Sequence, residues 1–429
     1  MENRRQFISN SLAVSSTALA GFSVPRYGLA ANYDKIKIGV IGVGGRGRGA
    51  IGNVLNLRTN AEVVAIADVR QDAIDTAITS LKEHTEKKEP LVGFNVTPDR
   101  CYVGLNAYKR ICDDPDIDIV FLTTPPAFRA LHCEYAVNAG KHVFAEKPVG
   151  TDPVGVRRFM QAGRLAKQKG LGILAGTQRR HQSSYIETYK RVHDGQIGDI
   201  ISGHIYWNGN GSWGRDRKPG MTDAEYWLYN WYKVDFLCGD HIVEQHLHNL
   251  DVANWVMQGH PVKAYGMGGL QYFTDRPGNI YDHFCVEYEY SNGRRITSMC
   301  RQIPGTDGKV AEEFFGSKGQ SYTVAWGNSP CSITGPNAWQ YAGGDKRRRE
   351  YEQEHQDFID SIRNGNPLNE AQSIAESTMM AIMGRESAYT GKVVTWDDMM
   401  QSDLVLMPDD MANWDGKLRP VPKPGMKRG

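Results

Sequence analysis

A glycine-rich turn near the front of the chain, Gly42-Val43-Gly44-Gly45-Arg46-Gly47, constrains the fold more than any other feature. The run before it, Lys35 to Val43, reads as a short buried strand, because Ile36, Ile38, Val40 and Ile41 are apolar and mostly β-branched. A helical pattern follows at Ala50, Ile51, Val54 and Leu55, and a second strand, Glu62 to Ala67, ends at Asp68. A strand, G-x-G-x-x-G, a helix, a strand and a carboxylate about twenty residues on is the arrangement that holds a dinucleotide. The first glycine permits the tight turn, the second lets the backbone approach a pyrophosphate, and the third lets helix and strand pack closely. Gly42, Gly44, Gly45, Arg46 and Gly47 are therefore candidate cofactor residues, with Asp68 set to accept hydrogen bonds from ribose hydroxyls. A carboxylate there repels a 2′-phosphate and favours NAD, while Arg70 leaves NADP open.

Two further strands end in loops of similar promise. Ile117 to Leu122 runs into Thr123-Thr124-Pro125-Pro126, and Lys141 to Ala145 into Glu146-Lys147-Pro148. In an open parallel sheet, ligands bind beyond the carboxyl ends of the strands, so Thr124, Pro125, Pro126, Glu146 and Lys147 should face the cofactor. Pro148 biases Lys147 to extended geometry, and a cis bond, which proline admits at modest cost, would aim the lysine into the cleft. The strand Gly172 to Ala175 leads into Gly176-Thr177-Gln178-Arg179-Arg180-His181, which should border the same cleft. Gln178 is expected toward the cofactor, and Arg179 and Arg180 toward substrate hydroxyls or a carboxylate.

With 429 residues, of which 40% are hydrophobic, the chain is too long for one ordinary core and too apolar for disorder, so two domains are expected. A net charge of +1 provides no long-range field to collect nucleic acid or an anionic membrane, and small-molecule chemistry is the better expectation. The seven cysteines are scattered singly, without a C-x-x-C pair, and read as buried thiols rather than a disulfide framework.

Residues 1–31 read as an export signal. Arg4-Arg5-Gln6-Phe7 precedes a mild apolar run from Leu12 to Val24, shorter than the roughly 20 residues a membrane span needs. Paired arginines before a weak apolar run fit the twin-arginine route, which delivers folded proteins to the periplasm. A protein exported folded takes its cofactor with it and keeps its thiols reduced while folding. No permanent membrane span is expected.

In the second half, Ile201 to Trp207, Val262 to Met267, His283 to Tyr290 and Arg295 to Met299 read as strands, the last two joined by the turn Ser291-Asn292-Gly293-Arg294. A late helix is expected from Glu370 to Tyr389. Between the strands lies Gly239-Asp240-His241-Ile242-Val243-Glu244-Gln245-His246-Leu247-His248. Asp240 is a plausible N-cap, and Val243, Leu247, Leu250 and Val256 have helical spacing. On one continuous helix His241, Glu244 and His248 would share a face, with His246 pointing elsewhere. A metal held by those three side chains is the weaker reading, since H-E-x-x-H is absent, and no metal is expected. Residues 207–232 are rich in aromatic rings, Trp231 among them, which suit the apolar faces of a pyranose; most should be ordinary packing. Asp240, His241 and Trp231 join Arg179 and Arg180 as candidate substrate contacts.

The run Asp118 to Pro126, Gly140-Lys141-His142-Val143-Phe144-Ala145-Glu146-Lys147-Pro148 and the glycine loop together resemble the Gfo/Idh/MocA oxidoreductases. The resemblance implies an α/β chain. It has a signal over 1–31, an NAD(P)-binding Rossmann domain over 32–155, and a substrate and oligomerisation domain over 156–429 built on a large, mainly antiparallel sheet. It further implies that Lys147 sits between the nicotinamide and the reacting hydroxyl. Many members carry His after the Thr-Pro pair, where this chain has Arg129, and Asp-x-x-x-His where it has Glu244 and His248. The catalytic expectation is His248 as acid/base, Glu244 as its orienter and Lys147 as polariser, moving a hydride between a sugar or glycoside hydroxyl and a tightly retained NAD, or NADP. A homodimer or homotetramer is expected. Two rival readings stand beside it: an NAD-dependent glycosidase working by transient oxidation of the sugar 3-hydroxyl, and an exported sugar-binding protein with a vestigial nucleotide fold.

Overall fold

The computed structural model describes residues 35–425, apart from 58, 87–92, 275–276, 326–329 and 344–348. The signal expected over residues 1–31 lies outside the described residues. Six strands form the first sheet: β1 (Ile36–Ile41), β2 (Ala61–Asp68), β3 (Cys101–Val103), β4 (Ile119–Leu122), β5 (His142–Ala145) and β6 (Ile173–Ala175). Their order is β3-β2-β1-β4-β5-β6, parallel throughout. Strands β1, β4, β5 and β6 are almost wholly buried, which is why they read as continuous apolar runs rather than alternating ones. The order reverses between β1 and β4, and at such a switch point a crevice opens beyond the strand ends. The sixth strand comes after residue 155 and reaches the sheet through the helix Pro153–Gln168, whose N-cap Asp152 accepts from the Gly155 amide at 2.8 Å.

The second sheet has nine strands: β7 (Ile200–Gly209), β8 (Lys263–Gly269), β9 (His283–Glu289), β10 (Arg295–Gln302), β11 (Lys309–Gly316), β12 (Gln320–Val324), β13 (Ser332–Thr334), β14 (Trp339–Gln340) and β15 (Val394–Thr395). Their order is β14-β13-β12-β11-β7-β10-β9-β8-β15, antiparallel except where β7 meets β10. Strand β10 alternates buried Ile296, Ser298, Cys300 and Gln302 with more exposed neighbours, so one face packs inward. The opposite face is open and presents Tyr265, Met267 and Met299.

One helix belongs to both halves. Ala371–Thr390 is buried along most of its length. Ala371 packs against Gly163 of the first domain, while near its other end the Gly384 carbonyl packs against Gly266 of β8. Arg385, fully buried, donates to the Thr151 carbonyl at 2.7 Å and the Gly239 carbonyl at 3.1 Å. The segment after residue 402 returns across the molecule: the Leu406 amide donates to Asp152 at 2.9 Å, and the Pro422 carbonyl accepts from Tyr281 at 2.9 Å. Among the described residues no helix is long and apolar enough to cross a membrane.

Candidate active site

The glycine loop takes the geometry its spacing demands. Gly42 has φ of +91°, and a Cβ there would lie 2.7 Å from the Thr124 amide nitrogen. A Cβ on Gly47 would fall 2.1 Å from the Gly42 carbonyl oxygen, so the third glycine is what lets the helix Gly45–Asn56 start against the strand. A Cβ on Gly44 would meet nothing within 4 Å, and that open side faces a cavity of about 360 Å³. Gly42, Gly44, Gly45, Asp68, Thr124 and Pro125 all line this cavity. Asp68 accepts from the Val43 amide at 2.8 Å and the Arg70 amide at 3.0 Å; burial pushes its carboxyl above the ordinary range against those two bonds. A cradle without side chains, a helix N-terminus and a carboxylate at the far end fit a nicotinamide dinucleotide.

Pro126 opens the helix Pro126–Asn138 just behind that wall. Arg46 and Glu146, both expected to meet the cofactor, engage each other: Arg46 Nε donates to Glu146 Oε1, which ties the Glu-Lys-Pro loop to the glycine loop. Burial alone would raise the Glu146 carboxyl, but Arg46, Arg129 and Lys147 hold it below the ordinary range. Arg46 also lies over the Tyr351 ring at 4.8 Å, and Gln178 donates to the Tyr351 hydroxyl at 3.1 Å. Gln178 therefore supports the loop from beneath and does not line the cavity wall.

The Lys147–Pro148 bond is cis. Lys147 Nζ donates to the Glu244 carbonyl at 2.5 Å and to Glu244 Oε1 at 3.3 Å, so the two domains meet through residues singled out on chemical grounds. Arg129 occupies the place where many similar chains carry a histidine, and its guanidinium donates to the Pro148 carbonyl at 2.7 Å. Burial drives Glu244 toward its neutral form against the opposing pull of Lys147 and Arg129. His248 is buried in the fields of Lys147, Arg179 and Arg46; burial first, then those cations, hold its imidazole neutral. Its ring lies along Trp207, with centroids 5.7 Å apart.

The single helix expected over this stretch is broken. His241–Glu244 forms one turn and Leu247–Met257 the next helix, with the His246 amide bonded to the His241 carbonyl at the junction. The break turns His246 into the second sheet, where its Nε2 meets Ser298 Oγ at 2.7 Å. His241 stays near the site: Nδ1 meets the Tyr232 hydroxyl at 3.0 Å, and burial lowers its pKa to about 4. Among the described residues, no three His, Cys, Asp or Glu side chains stand together as a metal site.

Other expected substrate residues are placed differently. Asp240 is fully buried, with φ of +77°, and both oxygens are taken: Oδ1 by the His241 amide, Oδ2 by the Tyr281 amide and Tyr389 hydroxyl. It braces the turn. Arg180 is fixed by a bidentate pair with Asp251, at 2.8 and 2.9 Å, on the side of the helix Leu247–Met257. Arg179 pairs with buried Glu312, which also accepts from Tyr185 at 2.9 Å and from Asn249 at 2.7 Å; its guanidinium lies over Trp207 at 5.7 Å, behind His248. Trp231 does line the cavity, together with Arg215, Lys218 and Tyr229. Tyr229 belongs to the aromatic stretch read from the sequence, whereas Arg215 and Lys218 escaped sequence reasoning, because a basic loop carries no periodicity that ties it to a distant glycine turn.

Residues 36–176 match the family model for the oxidoreductase family with an NAD-binding Rossmann fold, and residues 185–321 match the GFO/IDH/MocA C-terminal domain. The inositol 2-dehydrogenase/D-chiro-inositol 3-dehydrogenase of Lacticaseibacillus casei is 22% identical over 381 residues, 83% of this chain and 98% of that one. A glycosyl hydrolase family 109 protein of Streptomyces coelicolor is 24% identical over 204 residues, 48% of this chain and 39% of that protein. The aldose-aldose oxidoreductase of Caulobacter crescentus superposes with a TM-score of 0.66 at 18% identity, covering 84% of this chain and 99% of that structure. With both domains matched, the chain belongs to the Gfo/Idh/MocA oxidoreductases.

Proposed function

We propose that the protein oxidises a hydroxyl of a sugar, glycoside or cyclic polyol with a nicotinamide dinucleotide that stays bound through turnover and is reoxidised in place by reducing a second sugar or an external electron acceptor. The observation that carries this is Lys147 Nζ held at Glu244, beside a neutral His248, where the Rossmann domain meets the second sheet. The dinucleotide supplies the hydride acceptor. His248, neutral through burial, accepts the hydroxyl proton; Lys147 donates a hydrogen bond to the same oxygen; Glu244 holds the lysine in place. NAD is favoured over NADP, because Asp68 stands at the ribose end and Asp72 already pairs with both Arg70, at 2.8 Å, and Lys218, at 2.7 Å. Those pairs, led by the Arg70 hydrogen bond, lower the Asp72 carboxyl to about 2, so it stays charged.

The test is to purify the full chain, assay for copurified nicotinamide, and offer sugars, inositols and aryl glycosides. Reduction of bound cofactor without glycoside cleavage is expected. Lys147→Met should retain cofactor and lose about 10²–10⁴ in kcat; a variant with unaltered turnover would remove the lysine from the mechanism. A redox-neutral glycosidase is the second reading, favoured by the similarity to the family 109 glycosyl hydrolase. Aglycone release with no net change in cofactor would select it.

A further inference from the structure

The cavity beyond Gly44 is closed on its outer side by the second domain. Arg215, Lys218, Tyr229 and Trp231 line it together with Gly44, Asp68 and Arg70 of the Rossmann domain. These outer residues are held in shape locally. Thr222 and Glu225 form a reciprocal cap, with the Glu225 amide donating to Thr222 Oγ1 at 3.2 Å and the Thr222 amide donating to Glu225 Oε2 at 2.9 Å. The helix that starts there ends at Tyr229. Buried Asn230 then fastens the loop to itself, accepting from the Arg215 amide at 2.8 Å and donating to the Arg215 carbonyl at 3.1 Å.

Across the cavity mouth the contacts run between domains. Arg70 lies over the Tyr229 ring at 4.5 Å and Arg215 over the same ring at 4.6 Å, so the tyrosine takes one cation from each domain. Lys218 Nζ reaches Asp72 at 2.7 Å, and Asp72 holds Arg70 in place. Inward, Trp213 meets Trp231 at 5.7 Å and Tyr232 at 5.4 Å, and Tyr232 meets His241, so the outer wall is continuous with the catalytic end.

We propose that residues 213–231, a peripheral stretch of the second domain, act as a clasp that lies over a nucleotide seated on the first domain and retains it at its adenosine end. This rests on the dinucleotide reading of the cavity. The nucleotide enters and leaves only when the Asp72–Lys218 and Arg70–Tyr229 contacts part. Both are charge-dependent and partly exposed, so opening is favoured by salt. The clasp thereby slows exchange without touching the reacting atoms.

Stopped-flow measurement of NADH release tests it. Full-length protein loaded with NADH is mixed with excess NAD, and the loss of bound-NADH fluorescence is followed. Lys218→Gln with Tyr229→Leu, which remove the ion pair to Asp72 and the ring under Arg70, should speed release about tenfold, the sum of one ion pair and one cation–π contact. Asp72→Asn separates a clasp from simple attraction of an anion. Removing a negative charge beside an anionic ligand would on its own slow release, whereas loss of the clasp speeds it. Faster release in Asp72→Asn, and in wild type at molar salt, supports the proposal. Unchanged or slower release in Asp72→Asn, or a double variant within twofold of wild type, overturns the clasp alone. A wild-type protein that binds no NADH overturns the dinucleotide reading, and the clasp with it.

Discussion

At the scale of single residues, the glycines of the loop do different work, and the difference is measurable. A methyl at Gly47 runs into the Gly42 carbonyl, backbone against backbone, while a methyl at Gly44 meets only the open cavity. Gly47→Ala should cost about 1–3 kcal/mol of stability, the range for forced overpacking, and lower the melting temperature. Gly44→Ala should melt like wild type and lose NADH affinity; equal melting of both variants would contradict the division of roles. The glycines and Asp68 were legible in the sequence because each answers a local demand of backbone or charge, whereas Lys147 stood out only through the family resemblance. Asp240 is the N-cap its position suggested, but as substrate contacts it and Arg180 were misread: composition marks a polar side chain, and only the fold shows that Tyr281, Tyr389 and Asp251 have already consumed its hydrogen bonds.

At the scale of elements, the turn Gln178–His181 is pinned to the helix Glu350–Arg363 by His181, whose Nδ1 lies 2.7 Å from Asp357 and whose Nε2 lies 3.7 Å from Glu370. Burial opposes the charged ring, but the two carboxylates raise its pKa to about 9. A histidine raised above its unfolded value near 6.5 stabilises the fold fully below that pH, and the contribution is lost as pH rises through about 9. Chemical denaturation should therefore show stability falling between about pH 6.5 and 9 by at most about 3 kcal/mol, and His181→Gln should flatten that slope. A slope that persists in the variant would assign it to other groups. Most strands were legible because buried parallel strands are short apolar runs and the β9–β10 hairpin carries Asn-Gly. Strands β11 to β14 and the helix Glu350–Arg363 were not, since Glu312 and Thr323 are polar residues at inward positions and the helix is rich in charge. The break after Glu244 was invisible too: its apolar spacing continues through a junction that tertiary packing imposes.

At the scale of the whole molecule, the second sheet buries one face and leaves Tyr265, Met267 and Met299 exposed on the other. Charged residues border them: Arg295 pairs with Glu287 at 2.7 Å and with Glu289 at 3.0 Å. An apolar strip with a polar rim on a broad sheet suits a second copy of the chain, in line with the expected homo-oligomer. Sedimentation should find wild type as a dimer or tetramer, and Met267→Glu with Met299→Glu should reduce it to monomers; a monomeric wild type would leave the strip without that use. The helix Ala371–Thr390, packed against Gly163 on one side and Gly266 on the other, bears on how small molecules come and go. Lobes that share such a keel cannot swing apart without tearing a common core. Passage into the crevice must then depend on peeling back short peripheral stretches, a motion of a few side chains in place of a yawning jaw.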